Sequence, residues 1–594
     1  MAIPPGIVYL ARRLHRLALP PVLVYVGTRV WTVVFVKHIP GWVTTPAYIF
    51  SIPVALACSI LYKDFQDRRQ AALRGAVLAP SVKSKWIGGI DTLLSIAGGF
   101  GKEWIGSPFD KYCEVYGPIV NMRFLFENRI LTTEPEHIKA ILATQFKSFE
   151  KGAALWDQLH ALLGTGVFNS DGETWKFHRS MTRPFFSKDR ISHFDIFEAH
   201  VEDAINQVKN RLKEGYPVNF QDMVYRFTLD SATEFLFGKD VRSLSAGLVY
   251  PKNSPLSHDP AYKNHPANLF AYAFSEAQSL SAYRGRFGSI WPLVEFWSDR
   301  VAKQMDVCYK FIDPILEEAL EKKKLANAGK AVAEKTNAEK EVVEGDTLLE
   351  HLVNYTEVTD PIVIRDEILN IMIAGRDTTA ATLTFTIYRL SQHPDVLQRL
   401  RAEILNKIGP SRRPTYEDLR DMKYLRAVIN EILRLYPAVP FNVRTSAEAT
   451  VWPGVNGGPP IYIPPDTRVP YSVFLMQRRK DLWGPDAEMF DPDRFLDERM
   501  KYHTKNPFIF VPFNAGPRIC LGQQFAYNQM SYFLVRFLQT FSSITLAEDV
   551  QTFPPAGWAN GPNAQEKVII KHHLTMYAYD GVWVRLEEAG HGPW

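Results

Sequence analysis

Phe513-Asn514-Ala515-Gly516-Pro517-Arg518-Ile519-Cys520-Leu521-Gly522 places one cysteine between two glycines, immediately before an apolar run, 523–540, that predicts a helix. A thiolate at a helix start is stabilised by the helix dipole and by backbone N–H groups without helical partners. The two glycines carry no Cβ, so the backbone there can lie close to a flat partner. The phenylalanine can shield the sulfur, and the arginine can bind an anion beside it. The stretch therefore predicts a cysteine that acts through its thiolate.

The pattern F-x-x-G-x-R-x-C-x-G resembles the cysteine loop of the cytochrome P-450 family. The resemblance implies that Cys520 binds a haem iron through its thiolate, with Phe513, Gly516, Arg518 and Gly522 around the haem. The alternative, a structural cysteine on a glycine-rich turn, is disfavoured by the helix that follows. The fold implied is mainly α-helical with a small β-rich lobe, the cytochrome P-450 fold.

The bulk composition indicates a large globular protein without a nucleic-acid partner. The chain has 594 residues, 46% of them hydrophobic, which excludes disorder as its main state. The formal net charge of +4 is near balance, so it indicates no nucleic-acid binding. The four cysteines form no C-x-x-C pair, which predicts neither a zinc site nor a disulfide framework and suits a reducing compartment.

Residues 1–62 predict a membrane anchor. The run 41–62 has no charged side chain, and as a helix it would extend about 33 Å, against roughly 30 Å of bilayer hydrocarbon. The run 22–36 has Arg29 at its midpoint. Its apolar residues contribute about −4 kcal/mol to the free energy of membrane insertion, and the central arginine costs about +3 kcal/mol. One or two N-terminal transmembrane helices are therefore expected, the run 22–36 being a second span or an interfacial helix. A buried soluble hairpin is disfavoured because basic residues follow.

A basic juxtamembrane linker is predicted at 63–85, and its charges place the residues that follow in the cytosol. Residues 86–594 are predicted to form one haem-thiolate catalytic domain. A solvated insertion is expected near 321–345, which is rich in Ala, Lys, Glu and Asn and has no apolar face. Within the domain, helices are predicted at 361–391 and 425–435, and strands at 450–452, 461–463 and 468–473.

Ala374-Gly375-Arg376-Asp377-Thr378-Thr379 lies inside the first of these helical patterns. A glycine there costs about 0.5–1 kcal/mol relative to alanine, so we expect a compensation such as local widening of the helix around a small ligand. Asp377 and Thr378 would then lie beside that ligand. Alone, this motif is more often a packing feature. Beside the cysteine loop it resembles the family's oxygen-activation motif, which implies that Thr378 orients proton delivery and that Asp377 belongs to the relay.

Glu431 and Arg434 lie at i and i+3 on a predicted helix among apolar neighbours, which indicates a partly buried pair. Such a pair contributes little net stability and favours a role in specifying the arrangement. With Arg494 downstream, the order resembles the family's Glu–Arg–Arg network, which positions the cysteine loop. Asp493 stands where the family more commonly has glutamate, a mild departure.

Trp175 and Arg179 lie at i and i+4 on a predicted helix, so an indole N–H and a guanidinium can converge on one carboxylate. This resembles the family's W-x-x-x-R helix, which implies that both bind a haem propionate; the alternative is a surface cation–π pair. Arg444 matches the basic residue that often completes the propionate site. Other histidines show no ligand cluster and are predicted to be satisfied or exposed: His393, His503, His572 and His573.

The motifs occur in the family's order between about residue 80 and the C-terminus. They imply a membrane-bound monooxygenase that contains haem b and inserts one oxygen atom of O₂ into a hydrophobic substrate. Because the chain has no G-x-G-x-x-G loop, electrons are expected from NADPH through a separate flavoprotein reductase, with cytochrome b5 as a further partner. The implied location is the endoplasmic reticulum membrane, with the catalytic domain cytosolic.

The substrate class follows from finer resemblance. The cysteine loop with Gln523-Gln524, and Arg376 in the helix motif, resemble the fungal n-alkane and fatty-acid hydroxylases. This implies terminal or near-terminal hydroxylation of long chains. The alternatives are hydroxylation of aromatic xenobiotics by the same chemistry, a haem-thiolate isomerase or dehydratase, and a non-catalytic haem-binding membrane protein. The Asp377–Thr378 pair disfavours the last two.

Overall fold

A computed structural model describes residues 3–99, 103–186, 194–329, 347–355, 360–560 and 564–590. The α-helices are, in chain order, α1 (Pro5–Phe35), α2 (Gly41–Leu73), α3 (Ile90–Gly99), α4 (Phe109–Tyr116), α5 (Pro135–Lys139), α6 (Gly152–Leu163), α7 (Gly172–Thr182), α8 (Asp195–Lys213), α9 (Phe220–Phe237), α10 (Pro260–Lys263), α11 (Pro266–Phe287), α12 (Trp291–Val294), α13 (Arg300–Gly329), α14 (Leu348–Tyr355), α15 (Pro361–Leu390), α16 (Pro394–Lys407), α17 (Tyr416–Asp421), α18 (Lys423–Leu435), α19 (Val473–Met476), α20 (Lys480–Trp483), α21 (Met500–Lys505) and α22 (Gln523–Thr540).

The strands are short. They are β1 (Val77–Leu78), β2 (Ile119–Phe124), β3 (Glu127–Thr132), β4 (Phe149–Glu150), β5 (Val218–Asn219), β6 (Phe441–Ser446), β7 (Thr450–Trp452), β8 (Ile461–Ile463), β9 (Arg468–Ser472), β10 (Phe541–Leu546), β11 (Ile570–His572), β12 (Met576–Ala578) and β13 (Trp583–Glu588). The largest sheet has the order β2-β3-β9-β6-β4, with β3 and β9 parallel. The mainly helical fold with a small β component is confirmed.

Helix α15 lies in the core of the globular part of the protein. Nearly all of its second half is buried, and it packs against α9, α18 and α22. Three of its buried threonines, Thr382, Thr384 and Thr386, each donate their hydroxyl to the carbonyl four residues earlier, as Thr384 does to Ala380 at 2.7 Å. A long helix with its second half buried in this way provides a rigid wall for a site.

Several predicted elements have the observed bounds. The strands at 450–452 and 461–463 are β7 and β8, the helix at 523–540 is α22, and the helix at 361–391 is α15, one residue shorter. The helix predicted at 41–62 continues to Leu73, so the first part of the 63–85 linker is helical. Of the predicted insertion, residues 321–329 belong to α13, and 330–345 lie outside the described residues.

Both α1 and α2 are long and apolar enough to cross a membrane, and their most apolar segments are not buried in the protein. The run 22–36 is thus part of a second candidate span. The outer ends of this helical hairpin both contact the globular part of the protein. Near the start of α1, Gly6 N donates to Phe296 O at 3.0 Å; near the end of α2, Asp64 pairs with Arg123 of β2. Both ends therefore lie on the same side as the globular part.

Candidate active site

A cavity of about 620 Å³ extends from the cysteine loop along α15. Three segments of the chain, 151–170, the 366–380 face of α15 and 437–443, contribute lining residues. The walls are mostly apolar, with side chains such as Leu155, Phe168, Phe235, Ile371, Val439 and Leu574. The sequence did not indicate the contributions of β2, β3 and the β11–β12 turn. The space suits a hydrophobic ligand.

The cysteine loop forms one wall of this cavity. Cys520 N donates to Phe513 O at 3.0 Å, so a hydrogen bond closes the loop just before α22 begins. Asn514 adopts a left-handed conformation with φ of 57°, and its Oδ1 accepts from Tyr471 at 2.9 Å. Phe513 packs against Tyr527 of α22 with ring centroids 5.2 Å apart. These contacts fix Cys520 at the cavity surface.

The two glycines of the loop have different roles. Gly516 has φ of 65°, and a Cβ there would lie 1.9 Å from Leu142 O, so packing against a π-helical turn already requires glycine. At Gly522 an added Cβ would meet the Phe186 ring at 3.5 Å, an ordinary contact. Gly522 lines the cavity, whereas Gly516 is not among the residues that line it.

The Cys520 thiol is reached from the cavity but lies deep in the protein. Burial raises its pKa, while the Gly522 N–H and the Arg179 guanidinium act in the opposite direction. The effect of burial on the pKa of this thiol is therefore larger than the opposing effects of the backbone N–H and the guanidinium. A cationic partner in the cavity would favour the ionised form.

Four basic residues gather beside the cysteine loop: Lys151, Arg179, Arg444 and Arg518 all line the cavity. Arg518 donates to Asp171 Oδ1 at 2.6 Å, and Arg179 donates to Ile519 O at 2.8 Å. Burial and the neighbouring Arg444 lower the pKa of Arg518 to about 10, and burial lowers that of Lys151. The positive charges of the four basic residues outnumber the single negative charge of Asp171, so the cluster can bind a further anion.

Trp175 on α7 packs beneath this cluster. Its ring lies 4.5 Å from the Arg518 guanidinium carbon and 5.8 Å from that of Arg179. Trp175 is buried and lines the cavity, which excludes the alternative of a cation–π pair at the protein surface. The structure thus brings Trp175 and Arg179 to one end of the cavity, as predicted.

The predicted charge network is assembled and fully buried. Glu431 binds Arg434 through two hydrogen bonds of 2.7 Å, and Arg494 Nε lies 3.6 Å from Glu431 Oε1. Glu431 also accepts from Asp491 N at 3.0 Å. Asp493 is not part of the network, because it pairs with Arg399 at the surface. The departure from glutamate at that position therefore leaves the buried network intact.

Gln477 connects this network to the cysteine loop, a link that the sequence did not reveal. Arg434 Nη1 donates to Gln477 O at 2.9 Å, and the Gln477 amide donates back to Arg434 O at 2.9 Å. Gln477 Oε1 accepts from Val511 N at 3.1 Å, two residues before the loop begins. Through these bonds the network fixes the entry to the loop.

In the helix motif, Thr378 lines the cavity, and its hydroxyl donates to Ala374 O at 2.6 Å. The adjacent Asp377 does not line the cavity, contrary to expectation, whereas Thr378 and Thr379 do. Asp377 is buried behind the wall, 3.1 Å from Arg376 Nη1, and burial raises its pKa. Helix α15 is continuous there, and a Cβ at Gly375 would meet Ala232 at 3.8 Å, so packing does not require this glycine.

A buried polar stripe on α15 was missed by sequence reasoning. Asp366, Glu367 and Asn370 accept hydrogen bonds of 2.9–3.0 Å from backbone N–H groups of Thr165, Val167 and Phe168. Glu367 Oε2 also lies 2.9 Å from His178 Nδ1 on α7, the helix of Trp175 and Arg179. The stripe therefore fixes both a cavity wall and the basic end of the site. The feature of the sequence that could have revealed this stripe is the pair of polar residues Asp366 and Asn370, at i and i+4 in a largely apolar helix.

A Glu367→Gln variant tests this positioning. The side chains of Glu367 and His178 are almost fully buried. Because the substitution removes the charge of Glu367, it weakens the contacts to Val167 N and His178, and we expect the free energy of unfolding to fall by about 1–3 kcal/mol. Denaturation of the purified protein measures it. Glu173→Gln on the exposed face of α7, where Glu173 pairs only with Lys176, should change stability by less than about 0.5 kcal/mol. If both variants lost equally little stability, the positioning role of Glu367 would be excluded.

The histidines were predicted not to form a ligand cluster. His572 and His573 line the cavity, and burial lowers the pKa of each to about 3, so they are neutral. His573 Nδ1 accepts from Leu574 N at 2.9 Å. His393 and His503 lie elsewhere; the first contacts the Phe490 ring in a tilted arrangement and the second contacts the Phe510 ring edge-on.

Comparison with known proteins gives a consistent result. The model of the cytochrome P450 family matches residues 92–564. Cytochrome P450 52-E3 of Starmerella bombicola is 39% identical over 440 residues, which are 71% of this chain and 77% of that protein. Cytochrome P450 52A4 of Candida maltosa is 36% identical over 472 residues, which are 76% of this chain and 82% of that protein. Cytochrome P450 monooxygenase pvhE of Talaromyces variabilis is 34% identical over 488 residues, 79% and 82% of the two chains.

Proposed function

The chain belongs to the cytochrome P450 family, and from that premise we propose that it hydroxylates long-chain alkanes or fatty acids at or near the end of the chain. As a P450 monooxygenase it uses haem b, O₂ and electrons that come from NADPH through a separate reductase. The observation that carries the substrate class is the mostly apolar cavity, which extends from Cys520 along α15.

The residues of the cavity fit a haem. Cys520 supplies one sulfur ligand at the surface of the cavity. The surplus positive charge of Lys151, Arg179, Arg444 and Arg518 complements propionate groups. The wall is open beside Gly522, where an added Cβ would be accommodated. The bound haem supplies the chemistry of dioxygen activation.

The chain's own residues position the substrate and the proton. The apolar walls exclude water and favour an alkyl chain over a charged ligand near Cys520. Thr378 holds a hydroxyl proton at the cavity surface, where it can be delivered to dioxygen. Asp377, behind the wall, retains its proton more readily because burial raises its pKa, which suits a reservoir for Thr378.

We place the enzyme in the endoplasmic reticulum membrane, with residues 86–594 as the cytosolic catalytic domain and α1 and α2 as its anchor. The support is the pair of apolar helices, whose outer ends both contact the catalytic domain, and the basic residues that follow residue 62. Cytochrome b5 is a further candidate electron donor.

Turnover with a substrate panel tests the proposal. Full-length protein, a P450 reductase and NADPH would be combined with alkanes, fatty acids and polycyclic aromatics, and products located by mass spectrometry. We expect terminal or near-terminal alcohols from the linear chains. Ring hydroxylation alone would replace this substrate class by aromatic xenobiotics. No product from any of them, despite efficient reduction, would reject the substrate assignment.

A Thr378→Ala variant tests the proton role. We expect the product formed per NADPH consumed to fall at least about tenfold, while substrate affinity stays the same, because only proton delivery is removed. Thr386→Ala is the matched control, since Thr386 makes the same bond to the carbonyl four residues earlier, at 2.7 Å, but does not line the cavity. Unchanged coupling in Thr378→Ala would reject the role, and no turnover in the wild type would favour the non-catalytic alternative.

A further inference from the structure

Two arginines on neighbouring strands converge beside the cavity, on a wall that the cysteine loop does not form. Arg129 of β3 lines the cavity, and Arg468 of β9 is its direct partner in the parallel register. Paired residues in adjacent strands project to the same face. A Cβ at Gly288 would lie 2.1 Å from Arg129 Nη2 and 3.5 Å from Arg468 Nη1, so the two guanidinium groups share one small space.

Neither guanidinium has a counter-ion within the part of the chain that the structure describes. Arg129 Nε and Arg468 Nη2 are buried there without a hydrogen-bond acceptor. Glu127 attracts both through space, but it is exposed and its Oε1 accepts from Ser289 at 2.6 Å. Arg129 lies over the Phe124 ring at 4.5 Å, a contact that leaves its N–H groups free to donate.

This arrangement is unfavourable unless an anion joins it. Burial and the charge of Arg468 together lower the pKa of Arg129 to about 9. Two like charges in a poorly solvated site repel each other, and their unpaired donors cost free energy. A carboxylate satisfies both, because it can accept from two guanidinium groups at once.

We propose that Arg129 and Arg468 bind the carboxylate of a long-chain fatty acid, whose alkyl chain lies along the apolar cavity toward Cys520. The inference rests on the proposed function, since it takes a linear chain as the substrate. An n-alkane has no group for this site, so the two arginines select fatty acids over alkanes. Because the carboxylate is held on this wall, the other end of the chain is the end presented to Cys520.

The other basic groups of the cavity are less suited to this role. Lys571 offers a single ammonium group rather than two guanidinium groups in one space, and Arg286 has interactions of its own. The cluster of Lys151, Arg179 and Arg518 lies beside Cys520, where a carboxylate would place the wrong end of the chain near the thiolate.

Equilibrium binding to the full-length haem-loaded protein tests the inference. Calorimetry would compare hexadecanoate with its neutral methyl ester, in the wild type and in Arg129→Gln and Arg468→Gln. We expect hexadecanoate to bind about tenfold or more weakly in each variant, with the ester unchanged within about twofold. Arg123→Gln is the control, since Arg123 lies on β2, pairs with Asp64 and does not line the cavity.

The same variants distinguish ligand binding from a structural role. Removal of one of two facing, unpaired cations should leave the thermal midpoint unchanged or raise it. A lowered midpoint with equal loss of acid and ester binding would overturn the inference, as would unchanged acid binding. If the wild type binds neither linear ligand, the proposed function fails as well; if it binds both and the variants do not discriminate, only this inference fails.

Discussion

A Cys520→Ser variant is expected to lose the thiolate-type carbon monoxide difference spectrum completely and to hydroxylate no substrate. A serine hydroxyl does not ionise near neutral pH, so it cannot supply the anionic sulfur that donates electron density to the iron. The loop should retain its shape, because its hydrogen bond runs from the backbone N of residue 520 to Phe513 O. Spectra of the reduced protein and turnover of a linear substrate measure the two effects.

Cys58→Ser serves as the control for this substitution. Cys58 is exposed on α2, away from the cavity, so its removal should change neither spectrum nor turnover. A thiolate-type spectrum that survives in Cys520→Ser would assign the ligand to another cysteine and contradict the site described above.

The second large effect is expected for Glu431→Gln. The substitution removes the carboxylate that faces Arg434 and Arg494, all three side chains being fully buried. An uncompensated buried charge costs about 3–5 kcal/mol, so the free energy of unfolding should fall by that amount. Because Gln477 links Arg434 to Val511, we also expect the cysteine loop to hold haem less firmly. Denaturation and haem retention report these effects.

Asp493→Asn is the matched control for Glu431→Gln. Asp493 pairs with Arg399 at the surface, where an ion pair contributes about 0–1 kcal/mol. It should therefore cause little loss of stability and no loss of haem. If the two variants behaved alike, the buried network would not be what holds the loop.

Local signals allowed much of the fold and the main site residues to be predicted. The helix after Cys520 and the strands β7 and β8 have the predicted bounds, because caps, glycines and β-branched residues mark them in the sequence. Helix α2 exceeded its prediction because the apolar run ends at residue 62, whereas helix-forming charged residues continue it to Leu73. The end of the apolar run that can cross a membrane therefore does not mark the end of the helix.

What the sequence could not predict depends on contacts between distant segments. Glu367 binds the backbone of Val167, 200 residues earlier, and nothing in the periodicity of α15 identifies that partner. Arg129 and Arg468 become neighbours only through the parallel pairing of β3 and β9. The direction of Asp377 likewise depends on which face of α15 meets the cavity, since Thr378 and Thr379 both line it and Asp377 does not.

The most direct test of the account is turnover of hexadecanoic acid under isotopically heavy dioxygen, with full-length protein, reductase and NADPH. The account predicts a hydroxyl at or near the terminal carbon that carries one heavy oxygen atom. An alcohol without heavy oxygen, or NADPH consumption with no oxidised fatty acid, would contradict it.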